Sequence, residues 1–188
     1  SELARAAGEE PVEVVDETGA VLEVVPRSVM RAQRLRHRCT YIVVVDMAER
    51  LVVHQRALWK DVWPGRWDVA FGGVVGIGED WGAAALRELQ EEAGVEAGLQ
   101  ALGGGTYDDA DVSLLGRVYL ARHDGPFTFP DGEVLQTDRI PLDDVERWIA
   151  DEVHRRYGFT PAIINGSLTG SERRMQIVDD FNDSPKPF

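Results

Sequence analysis

Residues 72 to 95 read GGVVGIGEDWGAAALRELQEEAGV, a glycine-rich loop, a helix-forming run and a glycine stop in one stretch. No other segment limits the fold as tightly. Gly72 and Gly73 let backbone approach a ligand closely, and Gly94 stands where a left-handed cap would end a helix begun near Asp80. On that helix Glu88, Glu91 and Glu92, spaced i, i+3 and i+4, project from one face, while Gly82, Leu86, Leu89 and Ala93 fall on the side that can meet a core. Like charges at i,i+4 cost an isolated helix about 0.2–0.5 kcal/mol per pair, so the cluster calls for a cation. Arg87, four residues before Glu91, can bridge only part of it. An all-oxygen donor set suits Mg²⁺ or Mn²⁺, held by one or two carboxylates while substrate phosphate oxygens and water fill the other positions. A solvated acidic face is the plain reading of a bare EXXEE run. The wider segment in which the run sits decides between the two.

Composition narrows the partners. With a formal charge of -13 the 188-residue chain lacks the Lys and Arg excess that holds phosphate backbones, so no nucleic-acid polymer is expected. An anionic ligand then needs a metal or a few placed arginines. No stretch is apolar enough to span a membrane, and SELARAAGEE lacks a signal-peptide layout. Cys39 is the only cysteine, which fits a reducing cytoplasm and, beside a buried strand, inert packing.

Residues 11–15 and 20–25 read as two strands around a turn, followed by a short basic amphipathic helix over 27–36. Strands over 41–45 and 51–55 form a central hairpin. Residues 57–72, carrying Trp59, Trp63, Pro64, Gly65 and Trp67, suit a loop with a short strand after it. Beyond the helix of residues 80–93 the pattern predicts a glycine-rich turn at 103–105, strands near 117–121 and 133–135, a helix over 142–151 and another within 159–168. This gives an N-terminal appendage of strands and a short helix (1–36), one mixed α and β domain (37–168) and a tail (169–188). The N-terminal strands, or the residues after Pro141, offer a surface for a homodimer, although no residue compels one.

From Gly73 through Glu79 to Arg87-Glu88-Leu89-Gln90-Glu91-Glu92-Ala93-Gly94-Val95 the stretch resembles the signature of the Nudix hydrolases without a mismatch. The resemblance implies an α/β/α sandwich around a mixed sheet, with a loop–helix–loop carrying the signature. It also implies Mg²⁺- or Mn²⁺-dependent attack of water on phosphorus in a nucleoside di- or triphosphate or another small diphosphate. Carried over by residue, Glu88, Glu91 and Glu92 would ligate metal, with the Gly73 or Gly72 carbonyl completing the shell. Glu79 would hold the loop against the helix, Arg87 would orient the carboxylates, and Gly94 would stop the helix. The general base would be Glu91 or Glu88 within the signature, or Glu133 from a later loop. Arg56 is a candidate phosphate contact, and Trp67 and Phe71, next to the catalytic loop, are the aromatics expected to approach substrate.

The flanks, with Leu35-Arg-His-Arg-Cys-Thr-Tyr41, Gln55-Arg-Ala57, Lys60, Trp63-Pro-Gly65 and Trp67, look like the branch containing isopentenyl-diphosphate isomerases. That branch carries a Cys-Gly-His stretch ahead of the helix, where this chain has Gly72-Gly73-Val74. Isomerisation on carbon therefore lacks its cysteine and its metal-binding histidine, and His37, the match to the other histidine, is read as structural. A nucleotide-binding module without turnover is the alternative from a different class.

Overall fold

The computed structural model describes residues 8–60, 62–145, 147, 148 and 151. Its contacts divide the chain into a unit of residues Ser1–Arg139 and a second of Ile140–Phe188. The expected helix within 159–168 and the tail from 169 lie outside the described residues, as does part of the helix over 142–151. Within 142–151, Leu142–Asp144 form one 3-10 turn. No described helix is long and apolar enough to cross a membrane.

The sheet is organised around its most apolar strand. Pro11–Val15 (β1) and Val21–Pro26 (β2) form an antiparallel pair, and Arg27–Ala32 (α1) follows without a break. The strand His37–Val45 (β3), HRCTYIVVV, is rich in β-branched residues and buried along most of its length. Arg50–Arg56 (β4), Trp67–Asp68 (β5), the helix Trp81–Ala93 (α2), Leu99–Asp108 (β6), Ser113–Arg122 (β7) and Val134–Pro141 (β8) complete the order. β7 runs parallel to β3 along its whole length, from His37↔Leu114 to Val45↔Arg122, and antiparallel to β6 on its other side. Antiparallel β3–β4, β4–β5 and β1–β3 pairs make the sheet mixed.

The free edge of β3 positions the site. β1 pairs only with its start, at Val14↔His37, and β4 only with its end, at Val44↔Val52. The stretch between takes the glycine loop as a partner: Thr40 N–H donates to Gly73 O (2.9 Å), Ile42 N–H to Phe71 O (2.7 Å) and Val75 N–H to Arg38 O (2.9 Å). The loop is thus laid along the most buried strand as a piece of sheet, which satisfies backbone groups that burial would otherwise strand.

The two faces of β3 carry separate cores. Ile42 and Val44 pack with Val52, Phe71 and Tyr119 against Ala85, Leu89 and Ala93 of α2. Cys39 on the opposite face packs with Val12, Val74, Val112 and Leu114 against Met30 of α1. Helices on both faces of a mixed sheet give the expected α/β/α sandwich.

Three local expectations change. The basic helix stops at Ala32 rather than 36, because Arg34 turns into the left-handed region (φ 52°). Leu86 is exposed, and Ala84 and Ala85 take the inward positions beside Leu89 and Ala93. Gly103–Gly105 form no turn but the middle of β6, paired with Val118, Arg117 and Gly116. A bulge between Ala101 and Gly103 uses the positive φ of Gly103, and a Cβ on Gly104 would overlap the Gly116 carbonyl oxygen.

Candidate active site

α2 is closed at both ends by its own sequence. The Asp80 side chain accepts from Gly82 N–H at 3.3 Å, and Gly94 (φ 67°) donates its N–H to Gln90 O at 3.0 Å. A Cβ at Gly94 would overlap Thr128, whose N–H donates to Ala93 O (3.0 Å), so the helix stop also seats the 128 segment.

The three glutamates of α2 do not share one environment. Glu88 and Glu92 are buried, while half of the Glu91 side chain stays exposed. Glu88 lies over the glycine loop: a Cβ on Gly73 would fall 2.7 Å from both of its carboxylate oxygens. The Glu92 carboxylate accepts from Gly72 N–H at 2.8 Å. Gly72 has φ 143°, and a Cβ there would overlap the Thr40 carbonyl oxygen, so only glycine fits between the sheet and the helix. The Gly73 carbonyl oxygen already accepts from Thr40, leaving its second lone pair for another contact.

Arg87 ties this arrangement together. Its guanidinium donates to both Glu79 oxygens (3.0 and 2.9 Å), to Glu88 (2.8 Å), to Glu91 (2.9 Å) and to the Val74 carbonyl (3.2 Å). Glu79 also accepts from Gly76 N–H at 2.8 Å, so it spans loop and helix. The bond from Arg87, with that backbone N–H, holds the Glu79 carboxyl below the usual range against the effect of burial.

Burial acts the other way on the inner pair. It pushes the Glu88 carboxyl up to about 7, although Arg87 opposes, and raises Glu92 well above the ordinary value, with the Glu88 charge adding to the effect. Glu133 comes to the same place from the turn before β8. Burial would raise its carboxyl too, but the Lys60 ammonium and hydrogen bonds from Lys60 and Glu92 bring it below the usual range. Among the described residues no three His, Cys, Asp or Glu side chains converge as a finished metal cage. Glu88 and Glu91 are held by Arg87, and Glu92 by a backbone N–H. Two buried carboxyls with raised proton affinity and an all-oxygen donor set nonetheless fit a hard divalent cation, which would replace the protons.

On the other side of the glycine pair lies a cavity of about 90 Å³ whose wall includes Arg27, Arg31, Arg56, Lys60, Gly72 and Gly73. Arg27 and Arg31 stand one turn apart on α1, and Arg27 also pairs with Glu10 (3.1 Å). Arg56, at the end of β4, donates to Val62 O (3.2 Å) and faces Asp68 at 3.6 Å. Four cations meeting in a chain of charge -13 make this the local exception that an anionic ligand needs.

The aromatics fall differently from expectation. The Phe71 ring is wholly buried, stacked on His54 (4.5 Å between centroids) and on Phe127 (6.4 Å), so it is a core residue whose backbone serves the loop. Burial drives His54 down to about 4 and keeps it neutral in that stack. Trp67 is half-buried in β5, where it pairs with Gln55. Trp63 lines the cavity instead, held at φ 50°. Arg27, Arg31 and Lys60 were not named as site residues from sequence. The one signal for the arginines was their i,i+4 spacing on a basic amphipathic segment, and Lys60 stood only among the flanking residues that resemble the isomerase branch.

Comparison with known proteins points to one family and one fold. The NUDIX domain family pattern matches residues 35–163. An uncharacterized Nudix hydrolase of Yersinia pestis is 38% identical over 152 residues, covering 80% of this chain and 79% of the relative. Among solved structures, a Deinococcus radiodurans protein superposes with a TM-score of 0.63 at 20% identity, covering 90% of this chain and 98% of its own. The NUDIX domain of Shewanella oneidensis NrtR, solved in complex with ADP ribose, gives 0.52 at 16% identity, covering 70% of this chain and 99% of that one.

Proposed function

The chain belongs to the Nudix hydrolase family, and from that premise we propose that it is a Mg²⁺- or Mn²⁺-dependent pyrophosphohydrolase of a nucleoside di- or triphosphate or a related small diphosphate. The observation that carries this reading is that Gly72 and Gly73, which lie against the buried carboxyls of Glu88 and Glu92, also line the cavity where Arg27, Arg31, Arg56 and Lys60 meet. Glu88, Glu91 and Glu92 would hold the metal, with the Gly72 or Gly73 carbonyl as a further oxygen donor. When bound, such an ion neutralises diphosphate charge and lowers the pKa of a coordinated water.

The remaining work falls to the chain itself. Arg27, Arg31 and Arg56 receive the anionic end of the substrate, as charge-assisted hydrogen bonds to phosphate oxygens do elsewhere. Glu133, kept ionised by Lys60 beside the Glu88–Glu92 pair, accepts a proton from the attacking water while the water oxygen bonds to phosphorus and the bridging P–O bond breaks. Glu91 and Glu88 are its competitors for that role. Arg87 and Glu79 keep loop and helix in register without touching substrate. Isomerisation of an isoprenoid diphosphate is set aside, because Gly72-Gly73-Val74 supplies neither thiol nor imidazole for proton movement on carbon.

A phosphate-release screen over nucleoside di- and triphosphates, nucleotide sugars, ADP-ribose, dinucleoside polyphosphates and isoprenoid diphosphates, with Mg²⁺ or Mn²⁺, tests the reading. Release that Glu92→Gln abolishes supports it. Tight nucleotide binding by a folded, metal-loaded protein with no release would establish the binding module instead.

A further inference from the structure

The loop after β4 and the turn before β8 are far apart in sequence and joined in space by three contacts. Ala57 N–H donates to the Glu133 carbonyl oxygen at 2.8 Å, and the Trp59 indole N–H to Gly132 O at 3.3 Å. The Lys60 ammonium pairs with the Glu133 carboxylate. This pair is partly shielded: the Lys60 side chain is 7% exposed and that of Glu133 21%, so the ammonium is held away from solvent while the carboxylate keeps an open side. Glu133 is fixed from its own side as well, since its N–H donates to Asp131 at 2.9 Å. The Glu133 carboxylate meets Glu92 at the far end of α2. A turn that otherwise carries Gly132 in the left-handed region (φ 70°) is thus held at one spot by a residue 73 positions away.

We propose that Lys60 is a positioning residue that acts through Glu133, holding this carboxylate at the Glu92 end of the metal-side carboxylates in the geometry that takes a proton from water. The inference rests on the hydrolase reading and on Glu133 as the base. It gives the Trp59–Lys60 segment a role in catalysis that is separate from the cavity wall to which Lys60 also belongs. The ammonium meets a carboxylate from another loop, and the backbone beside it is bonded to the same turn, so the contact fixes the place of that carboxylate. A base must sit within hydrogen-bond reach of its water, so loss of its anchor affects the chemical step before it affects binding.

A double-mutant cycle separates these roles. Lys60→Met, Glu133→Gln, the double variant and Lys60→Arg are compared for kcat and KM on the best substrate of the screen. Mn²⁺ affinity by electron paramagnetic resonance and thermal unfolding are followed alongside. The expected result is a kcat loss of about 100-fold for Glu133→Gln, about 10-fold or more for Lys60→Met, and no further loss in the double variant. KM stays within threefold, Mn²⁺ affinity is kept, and Lys60→Arg recovers most of the rate. Losses that multiply in the double variant, or a KM rise with kcat kept, overturn the proposal and make Lys60 a substrate contact. Turnover that survives Glu133→Gln overturns this inference alone, whereas a wild type inactive across the screen overturns the hydrolase reading with it. Should Lys60→Met fail to fold, Lys60→Gln carries the same comparison.

Discussion

The two walls of the cleft are built in opposite ways. The acidic wall comes from one helix and the turn at Glu133, with Glu79, Glu88, Glu91 and Glu92 each tied to Arg87 or to a backbone N–H of the glycine loop. The basic wall is gathered from α1, the end of β4 and the loop beyond it. The part of the acidic wall that lies on one helix is set rigidly, because its spacing is fixed by the helix. A wall assembled across the sheet depends on how α1 packs through Met30, and is free to vary with substrate while the chemistry stays put. On the proposed reading, chemistry belongs to the acidic wall and selectivity to the basic one.

The largest expected effect is on the acidic wall. Glu92→Gln keeps the size of the side chain and its acceptor for Gly72 N–H, but removes the charge that a metal needs. Turnover should fall on the order of 1,000-fold, a loss of several kcal/mol of transition-state stabilisation, while the melting temperature holds or rises. A rate within tenfold of wild type would break the assignment of chemistry to this side.

Next comes the response to pH without metal. Glu88 is pushed up from an ordinary 4.5 to about 7 by burial, so the folded state keeps a proton that the unfolded chain gives up. The stability this group contributes is fully present below about 4.5 and is lost as pH rises toward about 7. In a chelator, the wild-type melting temperature should therefore fall relative to that of Glu88→Gln over this interval. Mn²⁺ should raise it more at pH 7.5 than at pH 5, since metal and proton compete for the same oxygens. A metal effect that is equal at both pH values would separate ion binding from the buried carboxyls.

The basic wall should answer more gently. Arg31→Gln removes one charge-assisted contact and should raise KM about tenfold with kcat within threefold, most strongly for substrates with an extra phosphate. Equal losses in kcat would mean that α1 reaches the reacting phosphorus, and the contrast between the walls would narrow.

Legibility in the sequence follows the same division. The loop, the helix, its caps and the bridge from Arg87 to Glu91 lie within one short segment, where local spacing dictates geometry. Burial of Glu88 and Glu92 but not Glu91 was not readable, because it depends on the glycine loop being pressed against β3. Phe71 was misplaced for a related reason: its neighbours His54 and Phe127 come from β4 and from the segment after β7. Gly103–Gly105 looked like a turn because glycine marks turns locally, whereas here it permits the close approach of β6 to β7. Each miss involves a partner distant in sequence, as every residue of the basic wall does.

The smallest expected effect asks which aromatic belongs to that wall. Trp63 lines the cavity, while Trp67 occupies β5 opposite Gln55. Their sequence surroundings are alike, both within the Trp-Pro-Gly-Arg-Trp run, so only the fold distinguishes them. Trp63→Ala should raise KM about threefold through lost apolar contact, and Trp67→Phe should leave it within a factor of about two. Steady-state kinetics on the same substrate decides between them. The reverse order would place the organic part of the substrate against Trp67 of β5 rather than against Trp63. The arginines would then hold only the phosphate end, and selectivity for the rest of the molecule would move from the α1 side to the β4–β5 edge.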